Sequence, residues 1–283
     1  MALRIGHIAY ANCVPFFHYL RQCGFAGEIR SGVPAELNAL LAAGEIDLSP
    51  SSSFEYGRNT GDYLLLPGHS ISSCGPVQSV LLFSPLPLEE LGSLPIDLTS
   101  ESATSINLLK LLLAEFLGKD PRCCRPAAQA AEEIAAQGGS VLMIGDRALR
   151  TAQQLRGRTQ IYDLGELWWR FTGLPFVFAL WIVRAVSAAE QAPALRDLQQ
   201  QLALSRQQAL ADLPLVAAQT PERQWMGEGA LVDYWRCMSY DLTPQHQEGL
   251  QRYFALCVKH GLLKEEPALR FFPPDSNPLP VIL

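Results

Sequence analysis

The stretch "PIDLTSESATSINLLKLLLAEFLG", Pro95 to Gly118, holds one complete structural unit. An apolar strand pattern runs into a hydroxyl-rich loop, and the loop opens a helix. Ile106, Leu109, Leu113 and Phe116 give that helix one apolar face, and Gly118 supplies a stop. The same order of elements recurs elsewhere. "RIGHIAY" (Arg4–Tyr10) leads through Ala11, Asn12 and Cys13 to "VPFFHYLRQCG", with Pro15 suited to a first helical turn and Gly24 to a C-terminal cap. "EIDLS" leads through "PSSS" to "FEYGRN", and "VLMIG" leads through Asp146, a candidate N-cap, to "RALRTAQQL". Strands that alternate with helices imply an α/β fold with a mainly parallel sheet. In such sheets ligands bind beyond the C-terminal strand ends, where all four polar loops lie.

Two segments break the rhythm. "GPVQSVLLFSPLPLEELGSLPI" (75–96) and "GLPFVFALWIVRA" (173–185) read as an outward and a return crossing between lobes. A two-lobed clamp follows, with the ligand between the lobes. The first lobe is expected to combine residues 1–84 and 181–283, and the second to span 85–180. Beyond the return crossing the pattern is mostly helical, including a last long helix begun by Thr243 and Pro244 and ended by Gly261. The Pro-rich tail "FFPPDSNPLPVIL" is expected to pack in extended form.

The bulk numbers exclude several classes. Of 283 residues, 48% are hydrophobic and 18% charged, which supports a packed core and argues against disorder. The net charge of −6 comes without any basic block, so nucleic acid is not an expected partner. Seven cysteines form no C-x-x-C, and five histidines show no metal-ligand spacing. The most apolar run, "LPFVFALWIV", is too short to span a bilayer. The start "MALRIGHIAY" lacks the long apolar segment of an export signal, so the expected location is cytoplasmic. No nucleophile elbow, Walker loop or dinucleotide glycine motif is present, against nucleotide hydrolysis and hydride transfer.

The candidate site residues come from the polar loops. Ser51, Ser52 and Ser53 could present hydroxyls and N–H groups to a carboxylate at a helix N-terminus, or simply cap a turn. Thr104 and Ser105 repeat that chemistry in the other lobe, and two such loops would suit a ligand with two separated carboxylates. Asp146 joins the substrate-binding set from the fourth loop, although capping alone would also explain it. His69 to Ser79 is either part of the site or only a hinge steered by Gly75 and Pro76. His7 reads as a satisfied, half-buried histidine rather than a base, and Trp168 and Trp169 as core.

Five of these segments, "GHIAYANCVPFF", "GPVQSVLLFS", "LTSESATSINLLKLLL", "MIGDRAL" and "LWWRFTGLPFVFALW", resemble the chorismate dehydratases of the futalosine route to menaquinone. The resemblance covers most of the chain in order and weakens over the last hundred residues. It implies the fold of type II periplasmic binding proteins, no metal or organic cofactor, and a small-molecule substrate. The implied reaction turns chorismate, a dicarboxylate, into 3-[(1-carboxyvinyl)oxy]benzoate and water. The family's functional asparagine falls on Asn12 and its functional serine on Ser79, while Thr104 and Ser105 match a hydroxyl pair expected to bind a carboxylate. The "SPSSS" loop departs from the family's usual start. The sister family, 1,4-dihydroxy-6-naphthoate synthase, is less similar and relies on a histidine in its second lobe, whereas residues 85–180 contain none. A non-catalytic binder of a small carboxylate is the other alternative. Neither an amide nor a hydroxyl is a base near neutral pH, so the substrate's own enolpyruvyl carboxylate is the expected proton acceptor.

Overall fold

A computed structural model of the chain describes residues 2–91 and 94–273. Eleven strands form two sheets: β1 (Arg4–Ile8), β2 (Glu28–Gly32), β3 (Leu48–Ser52), β4 (Tyr63–Ser73), β5 (Val80–Ser84), β6 (Ile96–Leu98), β7 (Cys124–Pro126), β8 (Ser140–Ile144), β9 (Gln160–Asp163), β10 (Phe176–Arg184) and β11 (Met238–Ser239). The six-stranded sheet runs β11-β4-β10-β3-β1-β2, and the five-stranded sheet runs β7-β6-β8-β5-β9. The fold is a two-lobed α/β clamp.

The strand–loop–helix units pair in parallel, β1 with β2 and β3, β6 with β7 and β8. The crossing strands do not. β10 is antiparallel to β3 and β4, and β5 is antiparallel to β8 and β9. The sheets are therefore mixed, not mainly parallel, because each strand that carries the chain between lobes re-enters a sheet against the local direction.

Sheet membership also moves the crossings relative to residues 84 and 180. All of β5 belongs to the five-stranded sheet and all of β10 to the six-stranded sheet, so the chain changes sheet at 74–79 and at 173–175. The prolines near Pro85 look like a boundary in sequence, but the backbone turns earlier, where Gly75 has φ +116° and Gln78 φ +59°. A positive φ at a non-glycine residue is strained. One carboxylate holds it: Asp163 accepts from the N–H groups of Val77 and Gln78 and, as helix cap, from those of Gly165 and Glu166. Burial nonetheless raises the Asp163 carboxyl above its usual value.

Alternation along the second sheet divides its core. Val80 and Leu82 of β5 with Leu142 and Ile144 of β8 join the large core that continues into the first lobe. Leu81, Phe83, Val141 and Met143 point to the opposite face and pack with Ala131, Ala135 and Ala148. The expected helices are present with shifted ends. The first is a single turn, Val14–Phe17, with Pro15 inside it, and irregular turns reach Gly24 at φ +99°. The helix Ala103–Leu111 widens into a π-turn, Leu112–Phe116, before Gly118. The last long helix is Pro244–Lys259. Of the tail, Phe271 bridges Leu65 of β4, and residues 274–283 lie outside those described.

Candidate functional site

A narrow cleft with a cavity volume of about 50 Å³ lies between the lobes. Its apolar walls are Ile8, Ile71, Val80, Ile144 and Phe178, and its polar groups come from Tyr10, Asn12, Ser52, Ser79, Ser102 and Ser105. No lysine, arginine, histidine, aspartate or glutamate is among the described residues that line it.

Each polar group is delivered by a strand end. Asn12 sits in the 3-10 turn Ala11–Cys13 that follows β1. That turn is anchored on both sides: the Ala11 N–H donates to Asp146 Oδ1 at 3.0 Å, and Trp235 Nε1 donates to the Ala11 carbonyl at 2.8 Å. The Asn12 Oδ1 atom is buried and makes no hydrogen bond with another described group. An unmet buried acceptor costs about 1–3 kcal/mol. Ser79 ends the outward crossing. Its Oγ accepts from the Tyr234 hydroxyl at 2.8 Å and donates to the Val77 carbonyl at a longer 3.3 Å. Its own carbonyl accepts from the Gly145 N–H at 2.8 Å. Ser105 lies in the first turn of the helix Ala103–Leu111, where Ser102 is the cap: its Oγ accepts the Ser105 N–H at 3.3 Å and lies 3.1 Å from the Ser105 Oγ. The Thr104 N–H is taken by Ser52 Oγ at 3.2 Å, so the dipole of the terminus, rather than free N–H groups, favours an anionic ligand atom.

The expected site residues therefore divide. Asn12, Ser52, Ser79 and Ser105 meet in the cleft; Ser51, Ser53, Thr104 and Asp146 do not line it. "PSSS" is not a loop, since Pro50, Ser51 and Ser52 are the end of β3, paired with β10 as Ser51 to Leu180 and Ser52 to Ala179. Strand alternation turns Ser52 to the cleft and Ser51 away, where its buried Oγ has no partner. Thr104 is a knot between lobes. Its Oγ1 lies 2.6 Å from Ser52 Oγ and 3.2 Å from Ser53 Oγ, and accepts the Phe54 N–H at 3.1 Å. Ser53 Oγ also donates to the Val177 carbonyl. Asp146 is not the cap of its helix: the helix Gly145–Leu155 already includes it, and Ile144 holds the cap position. It bridges instead to Ala11 in the facing lobe, and burial pushes its carboxyl up to about 6.

Four contributors escaped the sequence reading, Ser102 among them. Tyr10 lines the cleft and donates to Glu101 Oε2 at 2.8 Å, with Arg147 gripping both Glu101 and Glu132 behind it. Gly145 lines it opposite Tyr10. Tyr234 arrives from a helix 155 residues away from Ser79. Tyr10 stood inside a quoted motif and its exposure to the loop was a usable signal; nothing in the sequence marks Tyr234. His7 is a supporting group: its Nδ1 lies 3.1 Å from Ser31 Oγ, its ring rests on Phe17, and burial lowers it to about 4. Trp168 is core as expected, whereas Trp169 is exposed, on the outer face of its helix. Among the described residues, no group of three or more His, Cys, Asp or Glu side chains is placed to hold a metal ion, and no helix is long and apolar enough to cross a membrane.

Residues 3–259 match the model of the menaquinone biosynthesis family. The chain belongs to that family. A protein of Thermus thermophilus named chorismate dehydratase is 36% identical over 263 residues, which is 88% of this chain and 93% of that one. Among solved structures, the alkanesulfonate-binding protein SsuA of Xanthomonas axonopodis pv. citri, bound to MOPS, aligns with TM-score 0.69 at 17% identity, covering 94% of this chain and 96% of its own. A Candida albicans gene product described as exhibiting the generic periplasmic binding protein fold aligns with TM-score 0.68 at 10% identity, covering 94% and 92%. At those identities the likeness concerns the fold alone. This member of the menaquinone biosynthesis family thus has the two-lobed periplasmic-binding-protein fold, and Asn12 and Ser79 sit where its lobes meet.

Proposed function

We propose that this chain is a chorismate dehydratase, a carbon–oxygen lyase that converts chorismate to 3-[(1-carboxyvinyl)oxy]benzoate and water. The observation that carries the reading is the meeting of Asn12 and Ser79 in one inter-lobe cleft lined by neutral donors. The named relative supports it.

The chemistry suits such a cleft. The C3 proton of chorismate goes to an oxygen of its own enolpyruvyl carboxylate. The electron pair left behind spreads through the ring diene toward the ring carboxylate, then expels the C4 hydroxyl. The departing hydroxide takes up that proton and leaves as water, and the ring becomes aromatic. No protein base is consumed. The protein's work is to fix one conformer and to place donors where charge grows. Asn12 orients the enolpyruvyl arm or donates to its carboxylate. Ser79 donates to the departing hydroxyl or to the ring carboxylate. The hydroxyls of Ser102 and Ser105, at the start of the helix Ala103–Leu111, hold a carboxylate without any cation. Removing one fixed donor from a water-poor site costs on the order of 10² to 10³ in turnover.

The test is incubation of the purified protein with chorismate, followed by mass analysis. Loss of one water supports the reading, and intact chorismate refutes it in favour of a binder or of the sister activity. Asn12→Ala and Ser79→Ala should each lose at least about a hundredfold in kcat. A chorismate analogue without the enolpyruvyl carboxylate should bind and not react; its dehydration would refute substrate assistance.

A further inference from the structure

The helix Glu228–Cys237 belongs to the part of the chain where the family motifs fade, yet consecutive residues on it grip both cleft segments. Tyr234 donates its hydroxyl to Ser79 Oγ at 2.8 Å, and Trp235 donates Nε1–H to the Ala11 carbonyl, one residue before Asn12, at 2.8 Å. Both side chains are buried, Tyr234 at 0% and Trp235 at 1% exposure. Successive helical side chains diverge by about 100°. One short rigid element can therefore span the gap between two segments that belong to different strand ends.

The direction of the Tyr234 bond matters as much as its length. A serine hydroxyl has one proton and two lone pairs. With Tyr234 donating into one lone pair, Ser79 keeps its proton for another acceptor. In this structure that acceptor is the Val77 carbonyl at 3.3 Å, a longer contact than the incoming one. A bond that weak is readily exchanged for a ligand oxygen. The incoming bond also polarises the Ser79 O–H and makes it a better donor. Among the described contacts, the phenol oxygen has Ser79 as its hydrogen-bond partner.

We propose that Tyr234 is a positioning residue that commits Ser79 to the role of donor toward the substrate, with Trp235 fixing Asn12 in register from the same helix. This role rests on the dehydratase reading above. Tyr234 never meets the substrate and passes no proton. It holds one hydroxyl in one orientation.

The experiment is a double-variant cycle on the full chain with chorismate as substrate. Tyr234→Phe keeps the ring and removes the donor. It should lower kcat by about ten- to a hundredfold at nearly unchanged KM, because the loss falls on a bond strengthened in the transition state. In a Ser79→Ala background the same change should cost less than about threefold, since acting groups that work as a unit are not additive. An equal loss in both backgrounds, or a raised KM with kcat intact, overturns the role. Melting temperatures of every variant are measured beside the rates. If Tyr234→Phe does not fold, Trp235→Phe carries the test against Asn12→Ala with the same expected non-additivity, and additive losses overturn the proposal. Unaltered protein that leaves chorismate intact sinks the dehydratase reading itself, an outcome separate from additive losses in an active enzyme.

Discussion

Gly145→Ala places a methyl group between the lobes. Gly145 begins a helix of the second lobe at φ +63° and faces Tyr10 of the first. A Cβ there would lie 2.8 Å from Cε2 and Cζ of the Tyr10 ring, where ordinary contact begins near 3.4 Å. The backbone conformation alone costs an alanine about 1–2 kcal/mol. The ring must also retreat by roughly 0.6 Å to reach van der Waals distance. Tyr10 is not free to retreat, since its hydroxyl is bonded to Glu101 at 2.8 Å and Glu101 is pinned by Arg147 at 2.8 Å. Losing a hydrogen bond to a charged group adds about 1.5–3 kcal/mol. The two costs fall on different states. The φ penalty applies whenever the helix is folded, and should lower the melting temperature by roughly 2–8 °C for a chain this long. The clash applies only while the lobes are shut, and separation relieves it. A closed state penalised by about 2 kcal/mol reduces the competent fraction roughly thirtyfold, and apparent affinity falls in proportion. Steady-state kinetics with chorismate should accordingly show KM up by about thirtyfold with kcat changed far less. A variant with the lower melting temperature but an unaltered KM would refute the argument, because Tyr10 and Gly145 would then not be opposed in the working enzyme.

The electrostatics of Asp146 give a pH test. Burial raises its carboxyl from 3.8 to about 6, so its ionised form is disfavoured in the folded chain. A raised carboxyl contributes stability that is present at low pH and lost as pH climbs through about 6, at most roughly 3 kcal/mol. Asp146→Asn keeps an oxygen for the Ala11 N–H and carries no charge, so from pH 4.5 to 8 its denaturation midpoint should decline less than that of the unaltered chain; parallel profiles would refute this. Thr104→Val tests the knot: urea unfolding should show a loss of about 2–4 kcal/mol, since Ser52, Ser53 and the Phe54 N–H lose their common partner. Its KM should stay within about threefold of the original, whereas a tenfold rise or more would return Thr104 to the substrate site.

The lobes were legible because periodicity carries them. Strand, polar loop and helix repeat with residue types that have few other uses, and the crossing segments announce themselves through apolar length and prolines. Where the sequence misled, a single residue of register was at stake. Reading "PSSS" as a loop made three serines equivalent; as the end of β3, alternation gives Ser52 to the cleft and Ser51 to the interior. Thr104 and Ser105 are neighbours on a helix, so a rotation of about 100° separates a knot from a cleft wall. Asp146 looked like a cap because acids cap helices, and only the facing lobe explains its partner. The direction of a side chain depends on what stands opposite, and what stands opposite can be far away in sequence.

That distance explains the division of labour around the cleft. The walls carry hydroxyls, an amide and apolar groups, while the charges stand behind them. Asp163 binds the backbone of the crossing just before Ser79, Asp146 binds the backbone beside Asn12, and the Glu101–Arg147 pair braces Tyr10. Neutral donors fixed by charges at one remove respond to where negative charge grows, because their orientation is set before the ligand arrives. These half-buried carboxylates are thus spent on geometry: each one holds backbone N–H groups or a phenol in place, and the groups so held adjoin Asn12 and Ser79 or line the cleft as Tyr10 does.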